Sequence, residues 1–169
     1  MADRQRLEIA VKQIEFAREC TLSLLADIRD DEWFVMPDNC VTHVGWQVAH
    51  LAVAEYGLCL FRIRGRHSDD VELMPAQFRK KYSKGTQPDP DAAANLDPNE
   101  IRGVLDRVHG QVQTELAELS DADLTETVDK PYSVEATKLG ALYFCAAHEM
   151  MHAGQIGLLR RLLGKEPIR

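Results

Sequence analysis

Two histidines stand four residues apart in His148-Glu149-Met150-Met151-His152, inside a segment whose apolar spacing predicts a helix. Four residues is about 400° of helical rotation and a rise of roughly 6 Å, so both imidazoles project from one face, one turn apart. That spacing suits two ligands on one metal ion. A third histidine, His50, lies far upstream in another helical stretch, Gly45-Trp46-Gln47-Val48-Ala49-His50-Leu51. Three imidazoles on one divalent cation would leave a coordination position open, which is the catalytic rather than the structural pattern for zinc. Such an ion lowers the pKa of a bound water for hydrolysis, or receives a thiolate cosubstrate for transfer to an electrophile.

The residues alone leave other readings open. The pair is a literal HExxH, which would make Glu149 a general base, but no second protease element follows it. An ion could staple two helices without catalysis. The histidines could also be core groups satisfied by one another and by water.

The core stripe of the last helix is written Cys145, His148, His152, Gln155, Leu159, Leu162, at spacings of three and four. Both histidines thus fall where a bundle helix would carry Leu, and polar groups there need partners. His50 adjoins the apolar line Trp46, Val53, Gly57. Metal sites in helix bundles are built from inward side chains on facing helices.

The elements that must position these groups follow from periodicity. Leu7, Ala10, Val11, Ile14, Ala17, Thr21, Leu24, Leu25 and Ile28 predict a first helix from about Arg4 to Asp30. A second, capped by Thr42, carries Val44, Val48, Leu51, Ala54, Leu58 and Phe61 and fades at Gly65. Residues 65–97 are rich in Gly, Pro and polar side chains and predict a long crossover with one short turn near Ala76 to Tyr82. Asp97 and Pro98 open a third helix with the stripe Ile101, Val104, Leu105, Val108, Val112, Leu116, Leu119. Polar residues 120–133 follow, with a short extended pair expected between Thr125 to Val128 and Tyr132 to Val134. The fourth helix spans about Ala136 to Leu163, and Gly164 stops it. Four long amphipathic helices without a convincing sheet mean an all-α, single-domain four-helix bundle.

Composition narrows the function. The 169 residues are 45% hydrophobic, enough for one domain with a real core. The net charge of −7 and pI near 5.3 argue against nucleic acid as partner. No apolar h-region follows Met1 to Arg6 and no run is long enough to span a bilayer, so a cytoplasmic protein with no membrane partner is expected. Cys20, Cys40, Cys59 and Cys145 form no CxxC and read as buried free thiols.

At these residues the chain resembles the DinB/YfiT-like superfamily of small helical metal-dependent enzymes. The elements that carry the likeness are Gly45-Trp46-Gln47-Val48-Ala49-His50-Leu51 with Glu55, and His148-Glu149-Met150-Met151-His152-Ala153-Gly154-Gln155-Ile156. Segment 78–88 and the close Leu159-Arg160-Arg161-Leu162-Leu163-Gly164 are similar to the family's linker and last helix end. The resemblance implies an up-down-down-up bundle and one divalent metal, zinc or nickel, held by His50, His148 and His152. Some relatives are thiol-dependent S-transferases or isomerases, and members are often homodimers. A small-molecule substrate, with a low-molecular-weight thiol as cosubstrate in the transfer case, is therefore expected. Arg62, Arg64 or Arg66 would supply anion-binding groups for that thiol.

Around the ligands, Gln155 is placed to orient an imidazole or a bound solvent, with packing or capping as the alternative. Glu55 is expected either beside the site, paired with an Arg, or as an ordinary partly exposed carboxylate. Cys145 shares the face of His148, with core thiol as its default. Trp46 and Trp33 are candidates for pocket walls or core aromatics. His43, His67 and His109 read as exposed or incidental.

Overall fold

The computed structural model describes residues 3–129 and 135–168. Its elements are helices α1 (Asp3–Leu25), α2 (Val44–Glu55), α3 (Arg62–Arg64), α4 (Asp70–Leu73), α5 (Ala76–Tyr82), α6 (Pro98–Glu118), α7 (Asp121–Thr125) and α8 (Lys138–Leu162). A π-helical stretch, Tyr56–Phe61, joins α2 to α3 without a break in the rod. No strand occurs among the described residues, only an isolated bridge between Thr127 and Thr137. The expected extended partner Tyr132 to Val134 lies outside the described residues. The fold is all-α, as the four apolar stripes require.

Each long helix buries its stripe for a local reason. On α6, Asp97 Oδ1 accepts from Asn99 N at 2.8 Å and Pro98 takes the first helical position. The stripe Ile101, Val104, Leu105, Val108, Val112, Leu116 is buried throughout. Thr137 caps α8 through the Gly140 amide at 3.1 Å, and Gly164 at φ +80° ends it, with Lys165 N donating to Arg160 O. α1 stops at Leu25, short of Asp30. Its end is met from the C-terminal part of the chain instead: Arg160 Nη1 of α8 donates to Leu24 O at 3.1 Å, and Lys165 Nζ, just past α8, to Asp27 O in the following loop at 2.7 Å.

The cap of α2 is His43, not Thr42. His43 is fully buried, and its Nδ1 accepts from Trp46 N at 3.1 Å. Thr42 Oγ1 instead receives the Gln47 side chain at 2.9 Å. Gly45 fits here because an added Cβ would sit 2.5 Å from Phe34 Cε1. The 65–97 crossover contains α5 where one short turn was expected, and α4 besides. In the polar segment after α6, Ser120 and Asp123 form a capping box that starts α7.

α1 lies along α8, with contacts that ascend together: Tyr143 Oη reaches Arg6 O, Arg18 meets Glu149, and Arg160 meets Leu24. These two helices therefore run parallel. α2 and its extension lie along α6 in the same sense, through Glu55 with His109 and Arg64 with Glu115.

At the middle of the bundle the core is not purely apolar. Arg18 of α1 is 3% exposed. It holds Glu149 of α8 with Nε at 2.7 Å and Nη2 at 3.2 Å, and Glu55 of α2 with Nη2 at 2.8 Å. His109 of α6 meets the other Glu55 oxygen at 2.7 Å. One polar side chain from each long helix thus closes a buried network. Such a network fixes the rotation of all four rods, because each charge is costly if left unpaired.

Candidate metal centre

His50 lies two turns into α2, while His148 and His152 lie mid-way along α8. One ring nitrogen from each lies within 4.8 Å of those of the other two. His50 and His152 are buried, and His148 is half-buried, so solvent approaches from the His148 side. Ring centroids are 5.5 Å apart for His50–His148, 5.0 Å for His50–His152 and 4.5 Å for His148–His152.

The hydrogen bonds decide which nitrogens are bare. His50 Nδ1 is 2.8 Å from Tyr82 O, at the C-terminal end of α5. A carbonyl only accepts, so His50 carries its proton on Nδ1 and Nε2 is the bare atom. His152 Nδ1 meets Gln47 Oε1, whose amide nitrogen is engaged by Thr42, so His152 is likewise bare at Nε2. His152 Nε2 and His148 Nε2 are 3.3 Å apart. Two imidazole nitrogens at about 2.0–2.1 Å from one tetrahedral ion stand roughly 3.3–3.4 Å apart, so this pair already has the span of a shared cation. The same contact can hold a proton when His148 is the donor. A cation bound there would take that proton's place.

Electrostatics keep the rings neutral. Burial is the first cause lowering all three pKa values, followed for His148 and His152 by their histidine neighbours. His148 is lowered to about 4 and His152 to about 3. Near neutral pH these rings therefore offer lone pairs rather than charges, as a metal requires. The donor set of three neutral imidazoles fits a borderline divalent ion such as zinc or nickel.

The neighbours differ in part from the sequence reading. Trp46 does wall the site, stacked on His50 at 4.8 Å and 7°. Phe144 flanks His148 at 5.7 Å. Gln155 is exposed, and the glutamine that meets a ring of the trio is Gln47, on the His152 Nδ1 from the other helix. The stripe accordingly runs Leu142, Cys145, Glu149, His152, Ile156, Leu159, and Leu162 is half exposed. Glu55 is paired with Arg18, one of its expected roles, rather than turned to the imidazoles. Cys145 is a core thiol beside Cys59, whose contact is the first cause raising its pKa. Trp33 is a core aromatic with Arg102 over its ring at 4.2 Å. Glu149 is buried against Arg18, which removes it as the base of an HExxH protease. Of the histidines read as incidental, only His67 is exposed. His43 is the buried cap and His109 belongs to the Arg18 network.

The arginines proposed for anion binding stand elsewhere. Arg64 is fourteen residues beyond His50, roughly 20 Å along the rod, and is held by Asp70 and Glu115. Arg62 donates to Asp129 O at 2.9 Å. Two of the hollows in the fold are also elsewhere. A cleft of about 760 Å³ near Phe34 and Pro98 and a groove of about 500 Å³ between α1 and α8 include none of the three histidines. Chemistry, not size, marks the site.

No curated protein matches this chain. A solved structure described as the conserved protein of locus from Enterococcus faecalis superposes with a TM-score of 0.72 at 18% identity, over 94% of this chain and 97% of that one. At that identity the likeness is one of fold. The family model of the DinB superfamily matches residues 13–156, which include α2, α6 and all three histidines. By that match the chain belongs to the DinB superfamily.

Proposed function

We propose that this protein is a cytoplasmic metal-dependent enzyme acting on a small molecule, with one divalent ion, zinc or nickel, held by His50, His148 and His152. One observation carries this reading. Two imidazoles from different helices have their Nδ1 protons fixed by Tyr82 O and Gln47 Oε1, and their bare nitrogens gather with His148 in a place too dry to protonate them. Converging lone pairs need a positive partner, and burial disfavours the proton. The ion, when bound, supplies Lewis acidity and an open coordination position.

The chain's own residues do the positioning. Tyr82 and Gln47 orient two of the rings, and orientation of this kind is worth a factor of 10–100 in affinity. Trp46 covers the face of His50 and excludes water from it. Both carboxylates of the central core, Glu55 and Glu149, are committed to Arg18. The ion would supply the anionic nucleophile itself, as bound hydroxide for hydrolysis or bound thiolate for transfer, so neither route needs a carboxylate base from the chain.

Metal analysis of untagged protein tests the ligand set. Wild type should carry about one equivalent, His152→Ala none, and the exposed control His67→Ala one. Full occupancy in His152→Ala would remove that residue from the set. Metal-loaded protein should then accelerate reaction of a low-molecular-weight thiol with an electrophile, and His152→Ala should not. Equal rates in both would overturn the enzymatic reading.

A further inference from the structure

His50 reaches the trio from α2, while His148 and His152 stand one turn apart on α8. The two α8 rings keep their spacing through a shared backbone. Closure of the trio therefore depends on how the His50 ring is held across the gap between helices. One contact acts in the plane of that ring, where Nδ1 meets Tyr82 O at 2.8 Å. Another acts on the plane itself, since the Trp46 indole lies stacked on His50 at 4.8 Å and 7°.

Both holds lead to the same turn, residues 82–86. Trp46 Nε1 donates to Thr86 Oγ1 at 3.1 Å. The Thr86 hydroxyl hydrogen is already spent, because Oγ1 donates to Ser83 O at 2.9 Å. Its lone pairs are thus left for the indole, which can only donate. Thr86 N also donates to Ser83 O, at 3.1 Å, and Gly85 at φ +90° turns the chain back between them. Nothing stands within 4 Å of where a Gly85 Cβ would lie, so glycine serves there for its backbone angle and not for space. Tyr82 roots the turn: it is fully buried, and its Oη accepts from Leu96 N at 3.3 Å. The turn is anchored in the core at its first residue and reaches the His50 ring again, through Trp46, at its last.

We propose that Thr86 is a positioning residue for the metal centre: through the Trp46 indole it holds the plane of the His50 ring, so that turn 82–86 and the ion stabilise one another. The proposal rests on the metal-dependent reading above and adds to it a side chain that never touches the ion. A cation on His50 Nε2 makes Nδ1–H a better donor to Tyr82 O, which tightens the turn. By reciprocity, a turn already tight raises the affinity for the ion.

The test measures zinc affinity of the full-length protein by competition with a chelating dye, without turnover. Thr86→Val keeps the shape and loses the acceptor. Trp46→Phe keeps a ring over His50 and loses the donor. Each should weaken zinc binding about three- to tenfold, the worth of one neutral hydrogen bond, and Thr86→Ser should keep most of the wild-type affinity. Both changes remove the same bond, so the double variant should bind no more weakly than Trp46→Phe alone. Losses that multiply in the double variant, or wild-type affinity in Thr86→Val, overturn the role of Thr86. Hydrogen exchange on the wild type needs no substitution: zinc should slow the Thr86 amide, and equal exchange with and without zinc overturns the coupling of turn to ion. Failure of the wild type to take up one equivalent of zinc or nickel overturns the metal reading, and this proposal with it.

Discussion

Arg18→Met should be among the most damaging single substitutions in the bundle. The guanidinium is 3% exposed and neutralises two carboxylates whose side chains are 3% and 1% exposed. Methionine fills much of the volume, so the loss is chiefly electrostatic. Glu149 is left buried with no cation, while Glu55 keeps only His109. Breaking a buried pair from one side costs about 3–5 kcal/mol, which is a third or more of the stability of a typical domain. Urea denaturation at pH 7 on metal-free protein reads it without linkage to bound ions. The double variant Arg18→Met/Glu149→Gln should recover about 1–3 kcal/mol, because it removes the orphaned charge as well. A loss below about 1 kcal/mol for Arg18→Met, or a double variant no more stable than the sum of the singles predicts, would refute the claim that Arg18 pairs with buried charges in the core.

Two further outcomes follow from the imidazole geometry. In metal-free protein the folded pKa values of His148 and His152 are lowered to about 4 and about 3, below the ordinary value near 6.5. The unfolded chain then binds protons that the native chain does not, so this stabilisation is whole above about pH 6.5 and is lost as pH falls towards 4. Each ring steepens the decline by up to about 1.4 kcal/mol per pH unit, less for the half-buried His148. Denaturation midpoints of wild type and His148→Gln/His152→Gln, compared from pH 7.5 to 4.5, should diverge, and parallel curves would contradict the burial argument. Gln47→Leu removes the acceptor that holds His152 Nδ1–H. Its zinc affinity, measured by competition with a chelating dye, should fall about 10- to 100-fold, whereas Gln155→Leu should leave it unchanged. Equal effects would mean that Gln47 does not orient the ring.

Much of this was legible because each helix announces its buried face by spacing. Asp97 and Pro98 open α6 as their chemistry demands, and the two histidines on α8 share a face because four residues nearly complete a turn. The juxtaposition with His50 depended on how two rods lie side by side, which periodicity alone does not fix. For the same reason spacing points to Gln155 and not to Gln47. Offsets of three and four residues from His152 reach only its own helix, and the real partner crosses from α2. His43 displaced Thr42 as cap because an imidazole Nδ1 accepts the Trp46 amide while Thr42 is taken by Gln47. The charged core did leave a signal. Arg18 falls in the register Ile14, Arg18, Thr21, Leu25, and Glu149 in Cys145, Glu149, His152, Ile156, each where an apolar residue is the norm. A charge at a core-periodic position asks for a partner of opposite sign on a facing helix, and here the two answer each other.

X-ray absorption fine structure on untagged protein, at the edge of whichever metal it carries, tests the three-imidazole site most directly. Near one equivalent per chain, three imidazole nitrogens at about 2.0–2.1 Å with light-atom scatterers completing the shell are expected for a zinc ion, and no protein sulfur. A first shell containing sulfur from Cys145, fewer than three imidazoles, or metal far below one equivalent would contradict it.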